Sequence, residues 1–292
     1  MNMRSVFLLL TTLLCSHVSI ATENETIESS SNQVSTNIDD ESPLSLYFPH
    51  KGRLGLAYSQ LNYKEPGLMK HSGSVYGIKG GADIYGKENS YIFIDAELMG
   101  GENQYNGAYW DGRPLKEDMT VLVGEGRVGA GLSLLQSPNY MLALTGALGY
   151  RLYNTDGDHT KGFYRRETTY VYLPLGTEIR FLIGSNSRLY IKGEYDVFLG
   201  GTNKTYLSDI NKSLPDQTHK QSSGNGTRGT IGFSTDISAN NEGLIELFYQ
   251  KWNVGASDTQ LLGYSALDGG YIYTQEPKNN TEVIGVNLGV TF

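Results

Sequence analysis

The chain has little of several features that classify many proteins. One of its 292 residues is cysteine, 8 are proline and 18% are charged. The single cysteine, Cys15, leaves no partner for an intramolecular disulfide, which excludes a disulfide-stapled domain. No stretch has the length and pattern of a long helix, and no apolar run is long enough for a membrane-spanning helix.

A surplus of basic charge is also missing. The sequence holds 31 acidic and 23 basic residues, a formal net charge of -8, and no basic stripe. Proteins that bind nucleic acid need a basic surface to neutralise phosphates. We therefore expect no nucleic-acid partner.

The N-terminal residues predict export. Residues 1–21 combine Arg4, an apolar run over 6–14 and a small-x-small site over 19–21, the pattern of a secretory signal peptide. Residues 22–50 begin with an acidic stretch rich in Ser, Asn and Thr, and they are predicted to form a disordered periplasmic leader because almost nothing in that stretch can be buried. Residues 51–292 are predicted to form one large β unit, rich in Gly (36) and Tyr (21).

The last stretch, residues 281–292, shows the pattern of that unit. Ile284, Leu288 and Phe292 fall on one strand face, and Gly285 and Asn287 fall on the other. An alternating strand that ends on an aromatic residue is typical of the closing strand of an outer-membrane barrel. Phe292 is therefore expected to act as an assembly signal for the barrel-insertion machinery.

Ten such alternating segments follow one another from residue 53 onward. Short links over 86–90, 135–139, 184–187 and 238–242 alternate with long links over 64–72, 101–118, 154–165, 201–225 and 255–280. Because lipid offers the backbone no hydrogen bonds, spanning strands must close on themselves. The fold class is therefore predicted as all-β, a single closed antiparallel transmembrane β-barrel of 10 strands, with 8 or 12 as alternatives, short periplasmic turns and long extracellular loops.

Charged side chains of both signs fall on the polar faces of these segments. The predicted interior charge network consists of Lys79, Asp83, Asp95, Glu97, Glu125, Arg127, Arg151, Glu178, Arg180, Lys192, Glu194, Asp196, Arg228, Asp236 and Glu246. Wide aqueous pores belong to barrels of about sixteen or more strands. We expect these groups to pair in a packed lumen, with a narrow ion path as the alternative reading.

The sequence offers few candidate catalytic residues. Asp156, Asp158 and His159 lie in the third long link, and the omptin proteases, which are similar in predicted strand number and length, use acidic and Asp-His pairs at the extracellular rim. An Asp-x-His arrangement is absent, since the fourth link offers only Asp216 and His219. We therefore assign no catalytic residue, and neither calcium-loop nor zinc-ligand spacing predicts a metal or cofactor.

Aromatic residues mark two of the long links. The candidates for loop contacts are Tyr105, Tyr109, Trp110, Arg113, Tyr264, Tyr271 and Tyr273. Aromatic and Arg side chains are the types that anchor interfaces. The same residues could instead pack on one another and close the barrel mouth, and the sequence leaves both readings open.

Four stretches, residues 63–70, 110–115, 172–176 and 276–282, resemble a widespread family of uncharacterised small outer-membrane β-barrel proteins of Gram-negative bacteria. Opacity-type adhesins are similar in architecture alone. The resemblance carries no assigned active site. The leading hypothesis is a non-enzymatic surface protein of the bacterial outer membrane, in contact with lipid and lipopolysaccharide, whose loops contact a host or environmental ligand or which supports the envelope. A narrow porin-like channel and an omptin-like rim hydrolase remain the alternatives.

Overall fold

The computed structural model describes residues 43–49, 51–86, 89–109, 111–265 and 269–292. They belong to one compact unit that spans residues 41–292. The predicted signal peptide and most of the predicted leader lie outside the described residues. Within the described ranges, no helix is both long and apolar enough to cross a membrane.

Thirteen strands make up the described part of this unit. Their bounds are β1 Gly52–Glu65, β2 Met69–Tyr85, β3 Ser90–Ala108, β4 Pro114–Gln136, β5 Tyr140–Gly157, β6 Arg166–Ile183, β7 Ser187–Thr205, β8 Gln217–Gln221, β9 Gly224–Ser238, β10 Asn241–Val254, β11 Thr259–Ser265, β12 Gly270–Gln275 and β13 Asn279–Thr291. Short 3₁₀ turns cover Pro43–Leu46, His159–Lys161 and Leu207–Asp209.

Ten of the strands close a barrel, which confirms the predicted fold class. β1 to β7 follow in order, β9 pairs with β7, β10 with β9, and β13 joins β10 to β1, all antiparallel. The first and last strands meet in the register Leu54 with Val290 and Leu61 with Val283. Gly52 and Phe292 exchange two backbone hydrogen bonds, of 2.8 and 2.9 Å. We call this end of the barrel the termini end, and the opposite end the loop end.

The two faces of the wall differ as membrane immersion requires. Apolar side chains on the outer face are exposed, for example Ile94 at 55% and Leu288 at 56%. Their strand neighbours Asp95 and Asn287 point into the lumen, where Asn287 is buried. An apolar belt outside and polar groups inside is the arrangement that lipid stabilises.

Several strands run further toward the loop end than the sequence indicates. The long link predicted over 64–72 is a turn over 66–68, and β3 and β4 extend into the link predicted over 101–118, so that β3 ends at Ala108 and β4 begins at Pro114. The prediction was wrong in extent because, beyond the lipid, both faces of a strand can be polar. The apolar-polar alternation then stops although the β-ladder continues through Asn106 and Lys116.

Residues 43–49, which we call the plug, enter the termini end of the barrel. Leu44, Tyr47 and Phe48 are buried against Tyr91, Phe93 and neighbouring lumen side chains. The sequence places these residues at the end of a disordered leader, whereas the structure folds them. The reason is local composition, since the acidic stretch gives way to the apolar run of Leu44 to Phe48 just before β1, and these side chains gain free energy by burial.

Candidate functional site

The lumen next to the plug is crossed by a network of ion pairs. Arg53 of β1 donates to Asp83 at 2.5 Å and also to Asp95. Arg127 of β4 reaches Asp95 at 2.8 Å and Glu194 of β7 at 2.9 Å. Because one guanidinium serves two carboxylates from different strands, the network ties distant parts of the wall together.

A second group of charges spans the lumen toward the loop end. Arg228 of β9 donates through Nε to Asp196 at 2.7 Å and through Nη2 to Glu125 of β4 at 2.9 Å. Arg151 of β5 reaches the same Glu125 at 3.3 Å. All four side chains are at most 4% exposed. Such deep burial of charge is tolerable only when each ion has partners.

The structure brings most of the predicted network residues together. Further pairs join Lys79 to Glu97, Lys192 to Glu194 and Arg180 to Glu178. Asp236 is different, since it lies near the termini end with a side chain 41% exposed and reaches Arg188 at 3.9 Å. Glu246 faces the lumen but has no ion pair among the described residues.

Three further members of the network are not among the residues predicted from the sequence: Arg53, Arg188 and Glu242. Arg188 donates to Glu242, and both lie near strand ends. The alternation of side chains along a strand is the signal that could have identified them. Arg53, for example, lies on the same inward face of β1 as Ala57 and Leu61.

An apolar layer fills the lumen between the charges and the loop end. Its buried members include Leu61, Val75, Met99, Val123 and Val283. They come from five strands and meet in one cluster. At this level the lumen is therefore filled with contacting side chains and is not an open channel lined by them.

A polar cluster follows this layer nearer the loop end. Buried His71 contacts Asn103 through Nδ1 at 2.9 Å and the Tyr153 hydroxyl through Nε2 at 2.8 Å. Arg166 of β6 bridges Glu65 of β1, at 3.0 Å, and Glu276. The sequence does not predict this cluster, because most of its residues lie in stretches that the sequence assigns to long links.

An imidazole lies between two carboxylates at the rim of the loop end. His159 Nε2 is 2.9 Å from Asp156 Oδ1 and 3.7 Å from Asp209 Oδ2. The sequence had singled out Asp156, Asp158 and His159, but Asp209 follows β7 and is brought close by the fold. Asp158 instead accepts from the hydroxyl of Thr160 at 2.6 Å and from its backbone N–H at 2.9 Å, which holds the pKa of the Asp158 carboxyl below its usual range.

The predicted contact aromatics separate into two groups. Tyr105 belongs to β3, points inward and packs edge-on against Phe163, so it is not a loop contact as predicted; the strand continues past it to Ala108. Tyr109 stacks beneath the guanidinium of Arg113 at 5.2 Å. Trp110 lies outside the described residues.

The second group lies on a hairpin formed by β11 and β12, which pair with each other in a sheet of their own. Leu261 opposes Tyr273 and Tyr264 opposes Tyr271, so all four side chains share one face. They are 52 to 66% exposed. On the other face, Thr274 contacts His219 of β8 at 3.0 Å, which anchors the hairpin. We call the exposed face the aromatic hairpin face.

The described residues contain no group of three or more His, Cys, Asp or Glu side chains arranged to hold a metal ion. The rim group of Asp156, His159 and Asp209 is an acid-base arrangement in its chemistry. Two carboxylates beside one imidazole can orient the ring for proton transfer.

Comparison with known proteins supports the architecture. No protein-family model matches this sequence, and no curated protein matches it. Among solved structures, the outer membrane protease OmpT from Escherichia coli is similar with a TM-score of 0.52 and 11% identity, over 84% of this chain and 98% of that one. The toluene transporter TbuX of Ralstonia pickettii gives a TM-score of 0.38 and 9% identity, over 86% of this chain and 92% of its own.

The translocator domain of the autotransporter NalP from Neisseria meningitidis gives a TM-score of 0.35 and 10% identity, over 82% of this chain and 88% of that domain. At these identities a likeness concerns the fold alone. The OmpT likeness agrees with the strand pairing described above. The chain thus has the fold of an outer-membrane β-barrel.

Proposed function

We propose that this protein is a non-enzymatic surface protein of the bacterial outer membrane that contacts an external ligand through the aromatic hairpin face. The observation that carries the proposal is the exposure of Leu261, Tyr264, Tyr271 and Tyr273 together on one side of a hairpin at the loop end. Clustered exposed aromatics are typical of contact surfaces, because they bury large area with little loss of conformational entropy.

The barrel supports this role by holding the hairpin in place. In barrels of this class the termini and short turns face the periplasm and the long connections face outward. The hairpin lies in the connection between β10 and β13, so it belongs to the external side in that orientation. The packed lumen, with its ion pairs and apolar layer, favours a scaffold over a wide pore.

A triple substitution tests the proposal. Cells that display Tyr264→Ser/Tyr271→Ser/Tyr273→Ser should attach less to epithelial cells or abiotic surfaces than cells that display the wild type. Ile272→Ser is the matched control, an apolar side chain 41% exposed on the opposite face of the same hairpin. A heat-dependent electrophoretic shift verifies folding of each variant. Equal attachment of the triple variant and the wild type on every surface would contradict the contact role.

The rim group favours a second candidate, a hydrolase. His159 between Asp156 and Asp209 could take a proton from water as the water attacks a bound substrate, and OmpT, of the same fold, is a protease. Purified wild type should then cleave a peptide library, and His159→Ala and Asp209→Asn should lose that cleavage. Asp158→Asn, beside the group but committed to Thr160, should retain it. Absence of turnover by the wild type would reject this candidate.

A further inference from the structure

A chamber lies in the lumen between the plug and the ion-pair network. Its volume is about 140 Å³, and its walls carry six basic and eight acidic side chains together with Tyr47 and Phe48 of the plug. Since a water molecule occupies about 30 Å³ in the liquid, the space suits a few waters or a small hydrated ion. The charges of its walls decide between the two.

One carboxylate in the chamber wall lacks a compensating charge. Glu246 of β10 is 9% exposed and accepts hydrogen bonds from the Tyr190 hydroxyl and from Asn287 Nδ2, the latter at 2.5 Å. Both donors are neutral. The other seven acidic residues that line the chamber each pair with an Arg or Lys. Those seven are Asp83, Asp95, Glu97, Glu125, Glu178, Glu194 and Glu242. Among the described residues, Glu246 is thus the one acidic group of the chamber wall that has no ion pair.

Two further oxygens of the chamber wall have no hydrogen-bond partner in the described structure. They are Oδ1 of Asn287, a residue 3% exposed, and Oε1 of Glu97, a residue 8% exposed. The second oxygen of Glu97 faces Lys79 Nζ at 3.3 Å, so that carboxylate is already neutralised. An amide oxygen and a carboxylate oxygen are acceptors, and buried acceptors without a donor cost free energy.

We propose that the chamber binds a small monovalent cation, Na⁺ or K⁺ with part of its water shell, beside the carboxylate of Glu246 and the amide oxygen of Asn287. One positive charge offsets the one unpaired carboxylate. Hard oxygen donors suit such an ion, and its remaining ligands are waters in the chamber. A divalent ion would exceed the charge required and would want the cluster of acidic or imidazole ligands that the described residues lack.

The plug supplies a route for exchange. A groove outside it is lined by Ser45, Leu46, Pro138 and neighbouring residues, and Tyr47, Pro49 and Arg188 line both this groove and the chamber. The boundary is therefore one layer of side chains thick, and it includes a guanidinium bonded to Glu242. The cation acts as a counter-ion that helps to hold the lumen closed.

The test compares cations at equal ionic strength. Full-length protein in detergent is unfolded by urea in sodium, potassium or choline chloride at neutral pH. Choline is too large for the chamber, so the wild-type midpoint should be higher in the sodium or potassium salt. Glu246→Gln should abolish this difference and raise the midpoint in choline, because it removes the uncompensated charge while the amide oxygen still accepts from Tyr190. Asp236→Asn, an exposed carboxylate outside the chamber, is the control and should keep the difference.

A direct measurement accompanies it. Thallium(I), which resembles K⁺, should give an anomalous scattering peak beside Glu246 in wild-type crystals and none in Glu246→Gln crystals. Identical midpoints of the wild type in all three salts would overturn the proposal, since a chamber that binds Na⁺ or K⁺ must distinguish them from choline. A cation effect that persists in Glu246→Gln, or a thallium peak elsewhere in the lumen, would overturn it equally.

Discussion

Glu125 of β4 and Arg228 of β9 meet across the lumen, with Nη2 of the arginine donating to Oε2 of the glutamate at 2.9 Å. Their strands are four positions apart around a ten-strand wall. A contact between such distant strands acts as an internal strut. The contact also limits what can pass through the lumen, because both side chains are almost completely buried and leave little space around them.

Removing one end of this strut should be costly. Arg228→Met leaves Glu125 with Arg151 as its closer remaining partner and leaves Asp196 with none, so we expect a loss of about 3–5 kcal/mol in the free energy of unfolding. Urea unfolding in detergent measures it. Arg113→Met, which removes an exposed pair with Asp111, is the control and should leave the stability unchanged. Equal effects of the two substitutions would show that the strut does not stabilise the barrel.

Closure between the first and last strands can be tested by cross-linking. Leu56 and Leu288 are direct partners in the β1–β13 register, and the single native cysteine, Cys15, precedes the barrel. Leu56→Cys/Leu288→Cys should form a disulfide on oxidation, because directly opposed strand residues lie within disulfide reach. Leu56→Cys/Leu247→Cys, separated by an intervening strand, should not. Cross-linking of the second pair alone would place the strands in another order.

The plug should contribute to stability through its buried aromatic residue. Phe48 is 2% exposed and packs beneath the guanidinium of Arg180 at 3.6 Å. Phe48→Ala should therefore lower the free energy of unfolding by about 3–5 kcal/mol. Leu46→Ala, in the same segment but 50% exposed, should change it by less than about 0.5 kcal/mol. If both variants unfold like the wild type, the plug does not hold its place in solution.

Conductance should be absent even without the plug. Deleting residues 43–48 opens the termini end, yet the Glu125–Arg228 strut and the apolar layer around Met99 still fill the lumen. We expect no discrete current steps from the wild type or the deletion variant in planar bilayers. Steps that appear in the deletion variant alone would identify the plug as the seal of a channel.

The hairpin should be the first site of cleavage by chymotrypsin added to whole cells. Its tyrosines are 60 to 66% exposed, and among the described residues its two strands pair only with each other. The variant Tyr264→Ser/Tyr271→Ser/Tyr273→Ser should resist this cleavage. Cleavage of the wild type only after the cells are broken would reverse the orientation proposed here.

The sequence predicts the barrel well because lipid imposes a strong pattern. Alternation such as Ile92, Asp95 and Leu98 exists only where one strand face meets hydrocarbon and the other meets a polar lumen. Outside the lipid this apolar-polar alternation is absent. The alternation therefore does not predict the ends of β3 and β4 or the short strand β8. The plug was hidden for another reason, since Leu44 and Phe48 follow a leader dominated by acidic residues.

The candidate sites show the same division. Side-chain parity places Glu125 and Arg228 in the lumen, but the sequence contains nothing that pairs them across it. Asp209 joins His159 because a 3₁₀ turn after β7 folds back toward the link after β5, a contact between residues 50 positions apart. The local sequence pattern therefore predicts whether a side chain faces the lumen or the lipid. Which lumen side chains meet depends on closure of the barrel, which the pattern does not specify.

The position of the plug constrains the order in which the molecule can be completed. Leu44, Tyr47 and Phe48 come before the first strand in the chain, yet the surfaces that bury them come from β3 and β5. Tyr47 also donates to the main-chain oxygen of Tyr140, at the start of β5. The plug therefore precedes the barrel strands in the chain but can dock only after β3 and β5 have formed, so its docking is a marker that this side of the barrel wall is complete.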